Sequence, residues 1–242
     1  MAKANIVLCM NAADNYQTSY ANNSLLQVPS GVENNYRNIY MAKSSPPNVI
    51  KAYSEQFEKD FSNFLRSRSE ELVAGGGMLL TLIGRSITNP TNKCCFYIWD
   101  LLAISLLQLV AEGLVEESEV DSFNMPFYNP CEEEVKEIVE KEGSFDLDKL
   151  EIFQANWDFE DDFSNKNFVF DKHKSGQNVA DCVRAVAEPI LASHFGKTIM
   201  DDLFKRYANN VADHLSVEKT KYINVTKFGS HPLSTAPHSP YL

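Results

Sequence analysis

A glycine triplet lying between a helix and a strand constrains this chain more than any other feature. Upstream of it, Val49, Ile50, Tyr53, Phe57, Phe61, Phe64 and Leu65 recur at helical spacing. Ser44-Ser45-Pro46-Pro47 supplies a cap followed by proline in the first turn, so a helix is predicted over 47–72. Ala74-Gly75-Gly76-Gly77 breaks that helix, and the continuous apolar run 78–83 then reads as a buried strand. A dinucleotide-binding loop needs its glycines after a strand and at the opening of a helix. Here the order is reversed, so the triplet reads as a helix stop.

The remaining pattern predicts helices over 96–114, 132–142, 178–195 and 197–215, and strands at 150–157 and 222–226. Seven asparagines fall within 11–38, which reads as loop because their side chains compete for backbone hydrogen bonds. Residues 121–130 are also turn-rich, and from Lys227 the Gly, Ser, Pro and His content predicts a loose tail. Few, widely separated strands joined by long helices indicate an α/β chain with helical excess. The short segments before residue 45 cannot supply the strands of a complete parallel sheet.

Charge and cysteine usage narrow the function classes. With 22 Lys+Arg against 33 Asp+Glu the net charge is −11, which argues against nucleic acid or an anionic membrane as partner. The most apolar stretch, 96–115, carries Asp100, Gln108 and Glu112, so it predicts a buried helix rather than a membrane span. The five cysteines are odd in number, include the adjacent Cys94-Cys95 and form no C-x-x-C. Reduced thiols follow, and with an N-terminal apolar run too short for a signal peptide they predict a cytoplasmic protein.

No P-loop, H-E-x-x-H or G-x-S-x-G is present. The histidines, at 173, 194, 214, 231 and 238, have no partner at triad or metal spacing and read as structurally ordinary. Glu132-Glu133-Glu134 and Glu160-Asp161-Asp162 read as solvated faces, the first also favouring a helix N-terminus. Asp121-Ser122-Phe123-Asn124 offers hard oxygens that suit Mg²⁺, with a plain turn as the ordinary alternative. Trp99, Tyr128 and Tyr222 suit either a core or an apolar pocket, and spacing leaves both open.

Four strings together are distinctive. They are Ser19-Tyr20-Ala21-Asn22-Asn23-Ser24, Asn38-Ile39-Tyr40-Met41-Ala42-Lys43-Ser44-Ser45-Pro46, Asp121-Ser122-Phe123-Asn124-Met125-Pro126-Phe127-Tyr128 and Val183-Arg184-Ala185-Val186-Ala187-Glu188-Pro189. In this content and order the chain resembles the plant SABATH methyltransferases up to Thr226. The resemblance implies methyl transfer from S-adenosyl-L-methionine to the carboxylate of a small plant metabolite of the salicylate, benzoate or jasmonate kind. It implies an incomplete Rossmann-like methyltransferase sheet with a large helical cap, forming a single truncated domain over 1–226 with 227–242 as tail. By the same resemblance Tyr20 and Ser24 contact the cofactor and Gln27 hydrogen-bonds the substrate carboxylate. Ile98, Trp99, Tyr128, Val183, Val186 and Tyr222 build the acceptor pocket. Asn35, Asp121, Phe123 (through its backbone) and Asn124 match a magnesium site. A homodimer, or a heterodimer with a full-length relative, is also implied.

The resemblance has a gap. Gln27 and Val28 are joined directly, whereas the family places the first half of its cofactor fold between the corresponding blocks, on the order of a hundred residues. The glycine-containing cofactor loop, the acidic residue for the ribose and a His-Trp pair near the substrate are missing. Met10-Asn11-Ala12-Ala13 also replaces a glycine-rich stretch, which hinders close backbone approach to a ligand. An inactive truncated member, unstable or acting as a dimer partner, is therefore the alternative to an active enzyme.

Overall fold

The computed structural model describes residues 5–10, 28–88, 97–162 and 164–230. Helix α1 (Pro47–Glu71) starts where the prolines predict, because proline in the first turn lacks only an N–H that would have no helical partner. Its N-cap is Pro46 and makes no side-chain cap. Ser45, expected to help cap the helix, instead receives the Ala42 N–H on its Oγ at 2.8 Å. Val49, Tyr53, Phe61, Phe64 and Leu65 form the buried face. The helix stops at an extended Leu72. The chain then turns through Gly75 at φ +75°, closed by the Gly76 N–H on the Val73 carbonyl at 2.8 Å, into strand β2 (Gly77–Gly84).

With β1 (Asn5–Met10), β3 (Asp146–Asn156) and β4 (Lys221–Ser230), β2 forms a four-stranded sheet in the order β1-β2-β4-β3. Only the β1–β2 pair is parallel; β4 runs antiparallel to both its neighbours. Two departures from the sequence expectation stand out. Residues 5–10 pair as a strand although no strand is predicted there. The last strand extends beyond 226 to Ser230, so the tail does not begin at 227; β4 lies between two strands, and pairing on both sides outweighs the poor strand propensity of Gly229 and Ser230. Residues 231–242 lie outside the described residues.

Helices α2 (Tyr97–Ala111), α3 (Glu117–Ser122), α4 (Glu132–Glu142), α5 (Lys172–Phe195) and α6 (Met200–Val217) complete the described elements. α3, for which no helix is predicted, runs into the first two residues of the segment expected to be turns, and a capping box of Glu116 with Glu119 starts it. α5 begins earlier than predicted because Asp171 caps it, accepting the His173 and Lys174 N–H groups at 2.9 and 3.2 Å. Two apolar clusters result. In one, Met78, Leu80 and Leu82 of β2 meet Phe61, Phe64 and Leu65 of α1 and Val135, Ile138 and Val139 of α4. The larger one joins α2, α5, α6 and the segments 32–42 and 123–127. No helix among the described residues is long and apolar enough to cross a membrane.

Candidate functional site

The larger cluster brings together every described residue expected to line an acceptor pocket. Val183 belongs to its core, and Ile98, Trp99, Tyr128, Val186 and Tyr222 pack against it half-buried. Ile98 and Trp99 sit in the first turn of α2, where Trp99 stacks on Phe127 with centroids 4.7 Å apart and planes 6° apart. Tyr207 of α6, fully buried, donates to the Ile98 carbonyl at 3.1 Å, and burial pushes its hydroxyl well above the usual tyrosine range. Burial likewise raises Tyr222, whose ring lies 6.2 Å from Trp157. Trp157 in turn stacks on His214 at 5.3 Å, and Tyr97 lies against the same imidazole at 4.7 Å. The product is an aromatic wall whose ionisable groups are held neutral. Tyr20, Ser24 and Gln27 lie outside the described residues.

Asn35, Asp121 and Asn124 also converge, but as a hydrogen-bonded clasp; Phe123, between the last two in sequence, gives its N–H to the Val120 carbonyl at 3.2 Å. Asn35 Nδ2 donates to the Tyr40 carbonyl at 2.9 Å and to Asn124 Oδ1 at 2.7 Å. Asn35 Oδ1 accepts from Ser45 Oγ at 2.7 Å, and Asp121 Oδ1 accepts the Arg37 N–H at 2.8 Å. Magnesium demands six oxygens in octahedral array. Here an N–H donor points at the Asn124 oxygen, and its orientation is dictated by the Tyr40 carbonyl, which can only accept. The quartet as folded does not fit Mg²⁺, and among the described residues no group of three or more His, Cys, Asp or Glu side chains could hold a metal. Beside the clasp, Val28, Phe123, Asn124, Ile190 and His194 line an open cleft of about 600 Å³.

Sequence reasoning missed two polar centres. Arg85 is fully buried; its guanidinium donates to the Ile87 carbonyl at 3.0 Å and the Thr88 carbonyl at 3.1 Å, and also to the Asn129 carbonyl and to Glu134. Glu134, read as part of a solvated face, is thus the partner of a buried cation. Asp161, also read as solvated, is 7% exposed and accepts from Ser175 Oγ at 2.9 Å. Neighbouring Asp158 takes Asn178 Nδ2 on both oxygens at 3.2 and 3.1 Å. Charge runs alone do not reveal which member turns inward; Glu134 is marked only by its position three residues after the α4 N-cap, Cys131.

The family model described as SAM dependent carboxyl methyltransferase matches residues 5–228. The chain belongs to this family, the SABATH methyltransferases. It is 52% identical over 208 residues to a benzoic acid/salicylic acid carboxyl methyltransferase of Petunia hybrida, covering 86% of this chain and 56% of that relative. It is 45% identical over 209 residues to the salicylate carboxymethyltransferase of Clarkia breweri, covering 86% and 57%. A solved loganic acid methyltransferase with SAH superimposes at TM-score 0.71 and 27% identity, covering 86% of this chain and 59% of that one. The chain thus spans little more than half the length of the curated relatives it matches. A donor cradle of Rossmann type needs a glycine turn leading from a strand into a helix N-terminus. In this SABATH chain the described glycine turn, at Gly75, leads from a helix into a strand. That turn therefore does not furnish such a cradle.

Proposed function

We propose that this chain is the acceptor-binding portion of a carboxyl methyltransferase, taking a small plant carboxylic acid of the benzoate, salicylate or jasmonate kind. The observation that carries this reading is the convergence of Ile98, Trp99, Tyr128, Val183, Val186 and Tyr222 on one apolar cluster. S-adenosyl-L-methionine, when bound, supplies an electrophilic methyl group. A carboxylic acid is already ionised at neutral pH, with a pKa near 4, so it would need no general base from the protein to accept a methyl group. The work left to the protein is to position the acid and exclude water. Aromatic and valine side chains suit that task, with the Gln27 amide as the polar handle. On this reading the sheet is the second part of a Rossmann-like sheet, the helices cap it, and the unit is cytoplasmic.

Methyl-transfer assays with radiolabelled donor, alongside thermal melts with an acid panel, test the proposal. Acids of this class should raise the melting temperature by mass action, while turnover stays far below that of a full-length relative. Failure of every acid to shift the melt refutes the proposal, and ordinary turnover refutes the assignment to acceptor binding alone. The position of β1 at one end of the sheet order, with a single strand neighbour among the described residues, supports a second reading. In it the chain is an inactive partner that adds to a full-length relative through that edge. Co-expression followed by sedimentation analysis should then yield a mixed dimer.

A further inference from the structure

Tyr128 is held on three sides. Its hydroxyl donates to Glu134 Oε1 at 2.7 Å, its ring stacks on Phe57 with centroids 4.9 Å apart, and the Arg85 guanidinium lies over the ring at 5.4 Å. The same Glu134 oxygen pairs with Arg85, and Glu134 Oε2 accepts the Cys131 N–H at 3.0 Å. Glu134 is thus held from two directions, by a cation with no solvent exposure and by the first turn of its own helix. Its carboxylate has little freedom to leave the hydroxyl. The hydroxyl in turn is committed inside the protein and gives no donor to a ligand.

We propose that Glu134, fixed by Arg85, is a positioning residue: it sets the ring of Tyr128 at the acceptor wall, so that this wall selects its acid by shape and ring contact rather than by a hydrogen bond. The inference rests on the reading that Tyr128 lines the acceptor site. Burial, reinforced by the Glu134 charge, pushes the Tyr128 hydroxyl up to about 12, against opposing effects of Arg85 and Ser54. The hydroxyl therefore stays a donor to Glu134 at any physiological pH.

The test uses the full chain, with salicylate and benzoate as ligands measured by calorimetry, and phenolate absorbance as an independent readout. Tyr128→Phe removes the bond to Glu134 that fixes the ring and should weaken acid binding on the order of 3- to 10-fold. Glu134→Gln keeps an acceptor oxygen for the hydroxyl and should bind within about 2-fold of the parent. In the Tyr128→Phe background, Glu134→Gln should change nothing further. The high-pH phenolate step lost in Tyr128→Phe should move to lower pH in Glu134→Gln, because the Glu134 charge and hydrogen bond hold the hydroxyl up; this readout establishes the bond, and the acid-binding series establishes its role at the site. Parent-like binding by Tyr128→Phe overturns the proposal, as does a large loss in Glu134→Gln with Tyr128 intact. Tyr128→Ala binding like the parent overturns instead the placement of Tyr128 at the site. If the parent binds neither acid, the acceptor reading and the positioning role fall together, and the phenolate shift then reports only a structural Tyr128–Glu134 bond.

Discussion

Asn35 donates to Asn124 across 2.7 Å although 89 residues of chain separate them. This bond, with the Arg37 N–H on Asp121, ties the segment before α1 to the end of α3. Asn124→Ala leaves a buried Asn35 donor without that acceptor and should cost about 1–3 kcal/mol in denaturant unfolding. Millimolar Mg²⁺ should leave the melting temperature of the parent unchanged. A magnesium-dependent rise that disappears in Asn124→Ala would make the quartet a metal site.

Arg85 should not tolerate lysine. Its donors reach three carbonyls and a carboxylate from one planar group, a geometry that a single ammonium cannot match. Arg85→Lys should destabilise by about 2–4 kcal/mol, within the range for breaking a buried pair and discounted because Glu134 is partly exposed. Equilibrium urea melts would measure this, and a loss below about 1 kcal/mol would refute it.

Gly176 is a packing requirement between α5 and α6. A Cβ placed there would lie 2.5 Å from the Ala208 carbonyl oxygen and 2.8 Å from Ala212 Cβ, both closer than real contacts allow. Gly176→Ala should therefore cost about 1–3 kcal/mol despite its gain in helix propensity. Thermal melts would show it as a lower midpoint.

Asp100 sits in the first turn of α2, where burial raises its carboxyl from 3.8 to about 6. A raised acid binds its proton more tightly when folded, so the cost of ionising it is absent below about pH 4 and fully present above about pH 6. Asp100→Asn should stabilise the chain at pH 7.5 by about 1–3 kcal/mol and have no effect near pH 3.5. Urea melts at the two pH values decide it.

His214 has the opposite sign. Burial between Trp157 and Tyr97 lowers its pKa below the ordinary 6.5. Its neutral form stabilises the fold above that value, and this is lost as pH falls through the depressed one. Tryptophan emission should drop in that acidic window as the imidazolium forms beside Trp157, and His214→Gln should abolish the step.

Helix α4 was legible to the residue, and α1 and β2 to within one, because the helices have a periodic apolar face, the strand is a continuous apolar run, and Pro47, Gly77 and Gly143 punctuate them. Strand β1 was not legible, since a six-residue strand has no signal apart from the partner that pairs with it. The wall residues were named from family resemblance. Spacing left Trp99, Tyr128 and Tyr222 open between core and pocket, because whether an aromatic side chain lies in a core or at its border depends on elements far away in the chain.

The sequence by itself determined the helical excess, the helix-to-strand turn at Gly75 and the family, all of which rest on local pattern or ordered motifs. Only the tertiary structure decided that Glu134 pairs with the buried Arg85 and that Asp161 is buried between two exposed acids. It alone also showed that Asn35 and Asn124 satisfy each other. The physical reason is shared: a polar side chain's role is set by the partner that compensates its desolvation. Those partners, Arg85, Ser175 and each other, come from elements that sequence spacing does not bring together.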